Sequence, residues 1–304
     1  MPPDPSQRQK GLAAALAAYV SWGLFPLFFK ALRPVPAFEI LAHRVVWSAV
    51  FLAGLVVVTR RVGELRGAFP RGKRAVYLAS TLLIAANWLV FIWAVNAGHV
   101  LEASLGYFIN PLVNVLLGVL FLGEALTRRQ LAAVLLATVG VLALVLRVGH
   151  VPWIALALAA SFGLYGLVRK RAHIPPVAGL LVETLVLAPA ALGYLIVLGV
   201  EGRGAFGGTA VTTALLASAG VVTALPLIWF AVGVRSLRYS TMGLVQYITP
   251  TGQFLLAVAL YREPFTRAHA LAFGCIWASL ALYSYDALSG ARATPALPPP
   301  EPLD

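Results

Sequence analysis

A chain of 304 residues with 60% apolar and only 11% charged residues, at a mean hydropathy of +0.87, has too few charges to cover a soluble globule of its size. The same composition excludes a disordered chain. At about 20 residues per span across an apolar core of about 30 Å, it leaves room for about ten helices and no sizeable soluble catalytic domain. The net charge of +12 would suit nucleic acid in a soluble protein; here basic loops sorted to one side of a membrane explain it, and no nucleic-acid partner is expected.

Residues 1–10 are polar and Pro-rich and read as a cytoplasmic N-terminal segment. The apolar run that follows lacks a small-residue cleavage site before a soluble domain, so it reads as a first span, not a removable signal. Apolar runs then predict spans over 12–30, 38–59, 75–96, 101–122, 129–147, 152–169, 177–199, 211–233, 240–261 and 268–288. Lipid offers no hydrogen bonds, so each span must satisfy its own backbone as a helix. A closed β-barrel would instead show alternating segments of about ten residues. The predicted fold is an all-α, polytopic membrane protein of ten transmembrane helices. Residues 289–304 read as a disordered cytoplasmic tail.

With the N-terminus inside, the predicted cytoplasmic segments hold 16 Lys and Arg, among them Arg169, and the opposite side holds 6. That bias puts both termini in the cytoplasm. The single cysteine, Cys275, lies in an apolar run and reads as a small buried hydrophobe. No Cys/His cluster has metal-ligand spacing, so neither a metal nor a cofactor is expected.

The chain also repeats itself at about 140 residues. Ser21-Trp22-Gly23-Leu24-Phe25 recurs as Ser161-Phe162-Gly163-Leu164-Tyr165, Lys30 matches Lys170, and Pro111 matches Pro250. Glu124-Ala125-Leu126-Thr127-Arg128 recurs as Glu263-Pro264-Phe265-Thr266-Arg267. This divides the chain into two five-helix units, 11–148 and 152–288. An odd number of spans per unit makes the repeat inverted, an architecture of many secondary transporters.

Tyr107, Asn110 and Asn114 share one helical face, and a shift of 139 residues carries them onto Gln246, Thr249 and Gln253. Amides facing lipid have no partner, so both stripes face protein or a cavity. Interhelical hydrogen bonds account for them as well as a cavity does. Asn87, Trp88, Trp22, Tyr165 and Tyr247 join them as candidate cavity residues; aromatic walls suit a flat or amphipathic solute. His43 and Arg44 enter the second span, where Glu39 and His43 are spaced to pair and Arg44 could reach the interface by its long stem. The 140-residue shift carries His43 onto Glu183, an isolated carboxylate. These three ionisable residues, His43, Arg44 and Glu183, are the coupling or substrate-contact candidates. Glu102 reads as a cap at the start of its own helix. Walker, nucleophile-elbow and zinc-protease motifs are absent, and no enzymatic activity is expected.

Glu39–Trp47, Asn87–Asn96, Leu101–Asn114, Ala159–Lys170 and Gln246-Tyr247-Ile248-Thr249-Pro250 together resemble the RarD family, in the EamA branch of the drug/metabolite transporter superfamily; the likeness covers about residues 11 to 288. The resemblance implies two inverted five-helix units, a bacterial inner-membrane permease, a central cavity and a link with chloramphenicol, but no particular substrate residues. The expectation is a secondary transporter of small organic solutes or drugs. The competing one is a membrane scaffold or regulator on a relic transporter fold, for which the polar stripes serve only as glue. Lipid and a small solute are the expected partners.

Overall fold

A computed structural model describes residues 5–60, 74–122, 127–148, 150–172, 176–236 and 245–293. Among them are ten helices: α1 (Pro5–Ala31), α2 (Ala37–Val58), α3 (Arg74–Ala97), α4 (Val100–Leu122), α5 (Arg128–Val148), α6 (Trp153–Ala172), α7 (Pro176–Val200), α8 (Ala210–Ser236), α9 (Ile248–Leu255) and α10 (Arg267–Ala293). A single π-helical turn, Leu256–Leu260, continues α9. No strand occurs among the described residues. Helices α1–α5, α7 and α8 are long and apolar enough to cross a membrane, while α6 and α9 with its π turn are shorter apolar helices.

Most helix ends fall within a few residues of the expected ones, and three differ in informative ways. Helix α1 includes Pro5–Gly11, ahead of the expected start at 12, and residues 1–4 lie outside the described residues. The ninth span, expected from 240, is helical at residues 245 and 246, is interrupted by a turn at Tyr247 and resumes as α9 at Ile248; residues 237–244 lie outside the described residues. The expected tail from 289 is helical as far as Ala293, and 294–304 lie outside the described residues.

Helix pairing follows one rule. Helix α1 packs on α8 and α3 on α6; α2 packs on α8 and α3 on α7; α4 packs on α6 and α9 on α1. The pairs α2–α7, α4–α9 and α5–α10 complete the pattern. Exchanging α1–α5 for α6–α10 leaves every one of these contacts in place. The rule extends to single hydrogen bonds. Asn110 Nδ2 on α4 donates to the Ala159 carbonyl on α6 at 3.2 Å, and Thr249 Oγ1 on α9 donates to the Tyr19 carbonyl on α1 at 2.8 Å. Capping boxes start both α5 and α10: Thr127 and Gln130 exchange N–H bonds with each other's side chains, as do Thr266 and His269.

Two features set how closely the helices approach. A methyl group on Gly106 would sit 2.7 Å from the Ala155 carbonyl oxygen, and one on Gly220 would overlap the Trp47 backbone, so only glycine fits these crossings of α4 with α6 and α2 with α8. Within α1, Pro26 has no N–H for the carbonyl of Trp22, four residues earlier. The buried Gln253 supplies the missing donor from α9, its Nε2 lying 3.2 Å from the Trp22 oxygen. Phe29, Phe91, Leu105, Phe108 and Phe273 fill the apolar core around these crossings.

Candidate functional site

The interior polar groups divide into three clusters. The first surrounds Arg44. Its side chain does not reach an interface: the residue is 4% exposed, and its guanidinium lies 4.2 Å from the Trp88 ring centre, 5.6 Å from Phe29 and 5.9 Å from Phe25. The expectation of an interfacial arginine fails because these α1 and α3 rings close over the stem and stabilise the cation through their π faces. Arg44, Trp88, Tyr107 and Phe25 stand six to nine residues from the ends of their helices, which puts the cluster about 10 Å inside one face. Tyr107 is close enough to Arg44 to interact with it electrostatically.

Beside it runs a hydrogen-bonded seam. Asn87 is buried; its Nδ2 donates to Ser161 Oγ at 2.9 Å and to the Leu158 carbonyl at 3.1 Å, and its Oδ1 accepts from the Tyr107 hydroxyl at 3.3 Å. Asn114 Nδ2 donates to Asn110 Oδ1 at 3.1 Å. The stripe on α4 is therefore both a helix–helix seam and the wall beside Arg44. Ser161 is a member of this seam that the sequence flagged only as part of the repeat.

The second cluster lies toward the other face. Glu183 is fully buried near the start of α7; its Oε2 accepts from the Tyr165 hydroxyl at 3.0 Å and lies 3.4 Å from Arg169 Nη1. Arg169 also donates to the Tyr165 oxygen. Counted as a loop cation from sequence, Arg169 in fact belongs to α6 with its side chain 17% exposed. Its partner comes from a different helix, so no local charge pattern marks it.

The third cluster holds His43. Its Nε2 is 4.0 Å from Glu39 Oε1, and its ring stacks on Phe206 at 4.9 Å. Glu39 Oε1 also accepts the Ala205 N–H at 2.6 Å, which ties the 201–209 connection onto α2. His43 and Glu183, matched in sequence, are thus not brought together; each has its own partners.

The remaining candidates scatter. Trp22 packs on Tyr19 and Phe230. Tyr247 lines a groove of about 340 Å³ with Phe108, Thr251, Trp277 and Ser284, apart from the Arg44 cluster. Gln246 is half-buried and helical, directly before the turn at Tyr247. The carboxylate of Glu102 caps the N-terminus of α6, accepting the Ile154 N–H at 3.1 Å, and not its own helix as expected. Glu263 caps α4, accepting the N–H groups of Val100 and Leu101 at 2.9 and 2.8 Å. Burial raises the Glu263 carboxyl above its ordinary range, against the lowering effect of those two bonds. Among the described residues no group of three His, Cys, Asp or Glu could hold a metal ion.

A bundle of apolar spans with polar groups from both halves turned into its interior has the architecture of a membrane transport protein. Known proteins agree. The model of the EamA-like transporter family matches residues 9–146, the stretch of α1–α5. An uncharacterized transporter of Vibrio cholerae is 48% identical over 96% of this chain and 98% of its own length. The protein RarD of Salmonella typhi is 47% identical over 94% of this chain and 98% of its own length. A solved crystal structure, 19% identical, covers 92% of this chain and 99% of its own with a TM-score of 0.58, which speaks for the fold alone. The chain belongs to the RarD family of EamA-like transporters, a family of membrane transporters and not of enzymes.

Proposed function

We propose that this protein is a secondary transporter of small organic solutes or drugs across the bacterial inner membrane, working by alternating access. The observation that carries this reading is the exchange symmetry of the interior bonds, Asn110 to Ala159 and Thr249 to Tyr19. Two five-helix halves, 11–148 and 152–288, run oppositely through the membrane because five is odd. Equivalent interfaces can then open in turn toward either face while the centre stays covered. The 16-to-6 distribution of basic residues supports cytoplasmic termini.

Asn87, Trp88 and Tyr107 form the solute-facing wall, Asn110, Asn114 and Gln253 lie in the helix seams, and Trp22, Tyr165, Gln246 and Tyr247, set apart from that wall, are the further solute-contact candidates. His43, Arg44 and Glu183 are the ionisable groups available for coupling or solute contact. The scaffold reading draws on the same hydrogen bonds, since Asn87 and Asn110 both hold α6 in place. Purified protein in liposomes separates the two. Saturable counterflow of at least one solute from a panel of metabolites and amphenicols is expected; absence of flux for every solute that binds overturns the transporter reading.

A further inference from the structure

Arg44 is a buried cation without a counter-ion. It is 4% exposed, and among the described residues no carboxylate pairs with it and its Nε has no hydrogen-bond partner. The ring centres of Phe25, Phe29 and Trp88 lie 5.9, 5.6 and 4.2 Å from its guanidinium carbon. Rings attract the charge through their π faces, but they offer Nε–H no lone-pair acceptor. A charge in the membrane interior is costly unless it is paired, and unpaired ones mark solute paths.

The other half of the fold sharpens this asymmetry. Shifted by 140 residues, Phe25 and Phe29 become Tyr165 and Arg169, and His43 becomes Glu183. In that half the equivalent positions close on themselves, with Glu183 accepting from both Tyr165 and Arg169. In the first half no carboxylate stands at the position matching Glu183, and the buried Glu39 is engaged by the Ala205 N–H and lies against His43, not against Arg44.

We infer that Arg44 is the seat of a solute carboxylate, and that the solute is a small organic monoanion with an apolar or aromatic body. The planar fork of guanidinium matches a carboxylate with two parallel N–H bonds. A single cation balances one negative charge. Lys30 does not add a second, being committed to the Val95 carbonyl at 3.1 Å and to the Tyr261 ring. Trp88, Phe91 and Tyr107 provide the apolar walls, and the Asn87–Tyr107 pair provides a polar edge. Neutral amphenicols have no group for this seat. The inference rests on the transporter reading but is tested by binding alone.

The experiment is thermal-shift and tryptophan-fluorescence titration of the purified full chain in detergent. Phenylacetate, indole-3-acetate and hexanoate are compared with their neutral amides. The carboxylates are expected to stabilise wild type and the amides not to; Arg44→Met should weaken carboxylate binding about tenfold or more, and Arg44→Lys should retain part of it. Equal response to acids and amides, no response to any acid, or undiminished binding by Arg44→Met overturns the inference. The acid–amide comparison in wild type needs no variant to fold. Binding without flux in liposomes defeats the transporter reading and leaves the carboxylate seat standing. Flux of neutral solutes with no acid binding does the reverse.

Discussion

The side-chain amide of Gln253 donates to the Trp22 carbonyl at 3.2 Å, across the α1–α9 crossing and four residues before Pro26. The proline creates the free acceptor and the glutamine from the other half answers it. Gln253→Leu should therefore cost about 1–3 kcal/mol, the penalty of an unpaired buried carbonyl. Pro26→Ala restores a backbone donor for the same oxygen. In that background Gln253→Leu should cost at least about 1 kcal/mol less. Unfolding of the four proteins in micelles measures the cycle; equal costs in both backgrounds contradict the pairing.

Glu183 has no exposure and Arg169 little, so their pair is held in a medium that penalises either alone. Glu183→Leu or Arg169→Met should each cost about 3 kcal/mol, while the double variant recovers most of the loss. Additive losses in unfolding experiments exclude a working ion pair.

Much of this was legible in the chain. The apolar runs located the helices because lipid forces each to satisfy its own backbone, and the 140-residue shift put Asn110 and Thr249 at matched positions, though not their bonds to Ala159 and Tyr19. What stayed hidden was the identity of partners across helices. Periodicity says that Glu183 is buried, not that Arg169 answers it. It says that Arg44 enters a span, not that Phe25, Phe29 and Trp88 enclose it. Glu102 looked like the cap of its own helix, yet its carboxylate serves α6 through the α4–α6 contact. Phe206 and Ala205 reach His43 and Glu39 from more than 160 residues away, beyond any local pattern.

Glu263 carries a pH signature. Its carboxyl is raised in the folded protein, so the fold holds that proton more tightly than the unfolded chain does. Its contribution to stability is full below the ordinary carboxylate range and is lost as pH rises through the raised value. Melting temperature between about pH 4 and 7 should show this component in wild type and lack it in Glu263→Gln, which mimics the protonated acid. Identical slopes refute it. Glu263→Ala, which removes both bonds to α4, should cost about 1 kcal/mol at the acid end of that range and less as the pH rises through the raised value.

Proton coupling is the role proposed for His43 and Glu183, one near each face. Flux by His43→Ala and by Glu183→Gln should lose its dependence on an imposed pH gradient, because each removes a titrating side chain. Unchanged gradient dependence in both variants ends the proposal.

Alternating access is the central claim, and it can be tested without knowing the solute. Cys275 is the single cysteine, so Cys275→Ser gives a background into which Ser161→Cys places one thiol beside Asn87 in the interior seam. Membrane-impermeant maleimide is added to oriented vesicles, from the periplasmic side in one experiment and from the cytoplasmic side in the other. Labelling from both sides, each blocked when the opposite side is locked open by crosslinking, is the predicted result; labelling from one side only, or from neither, contradicts the account.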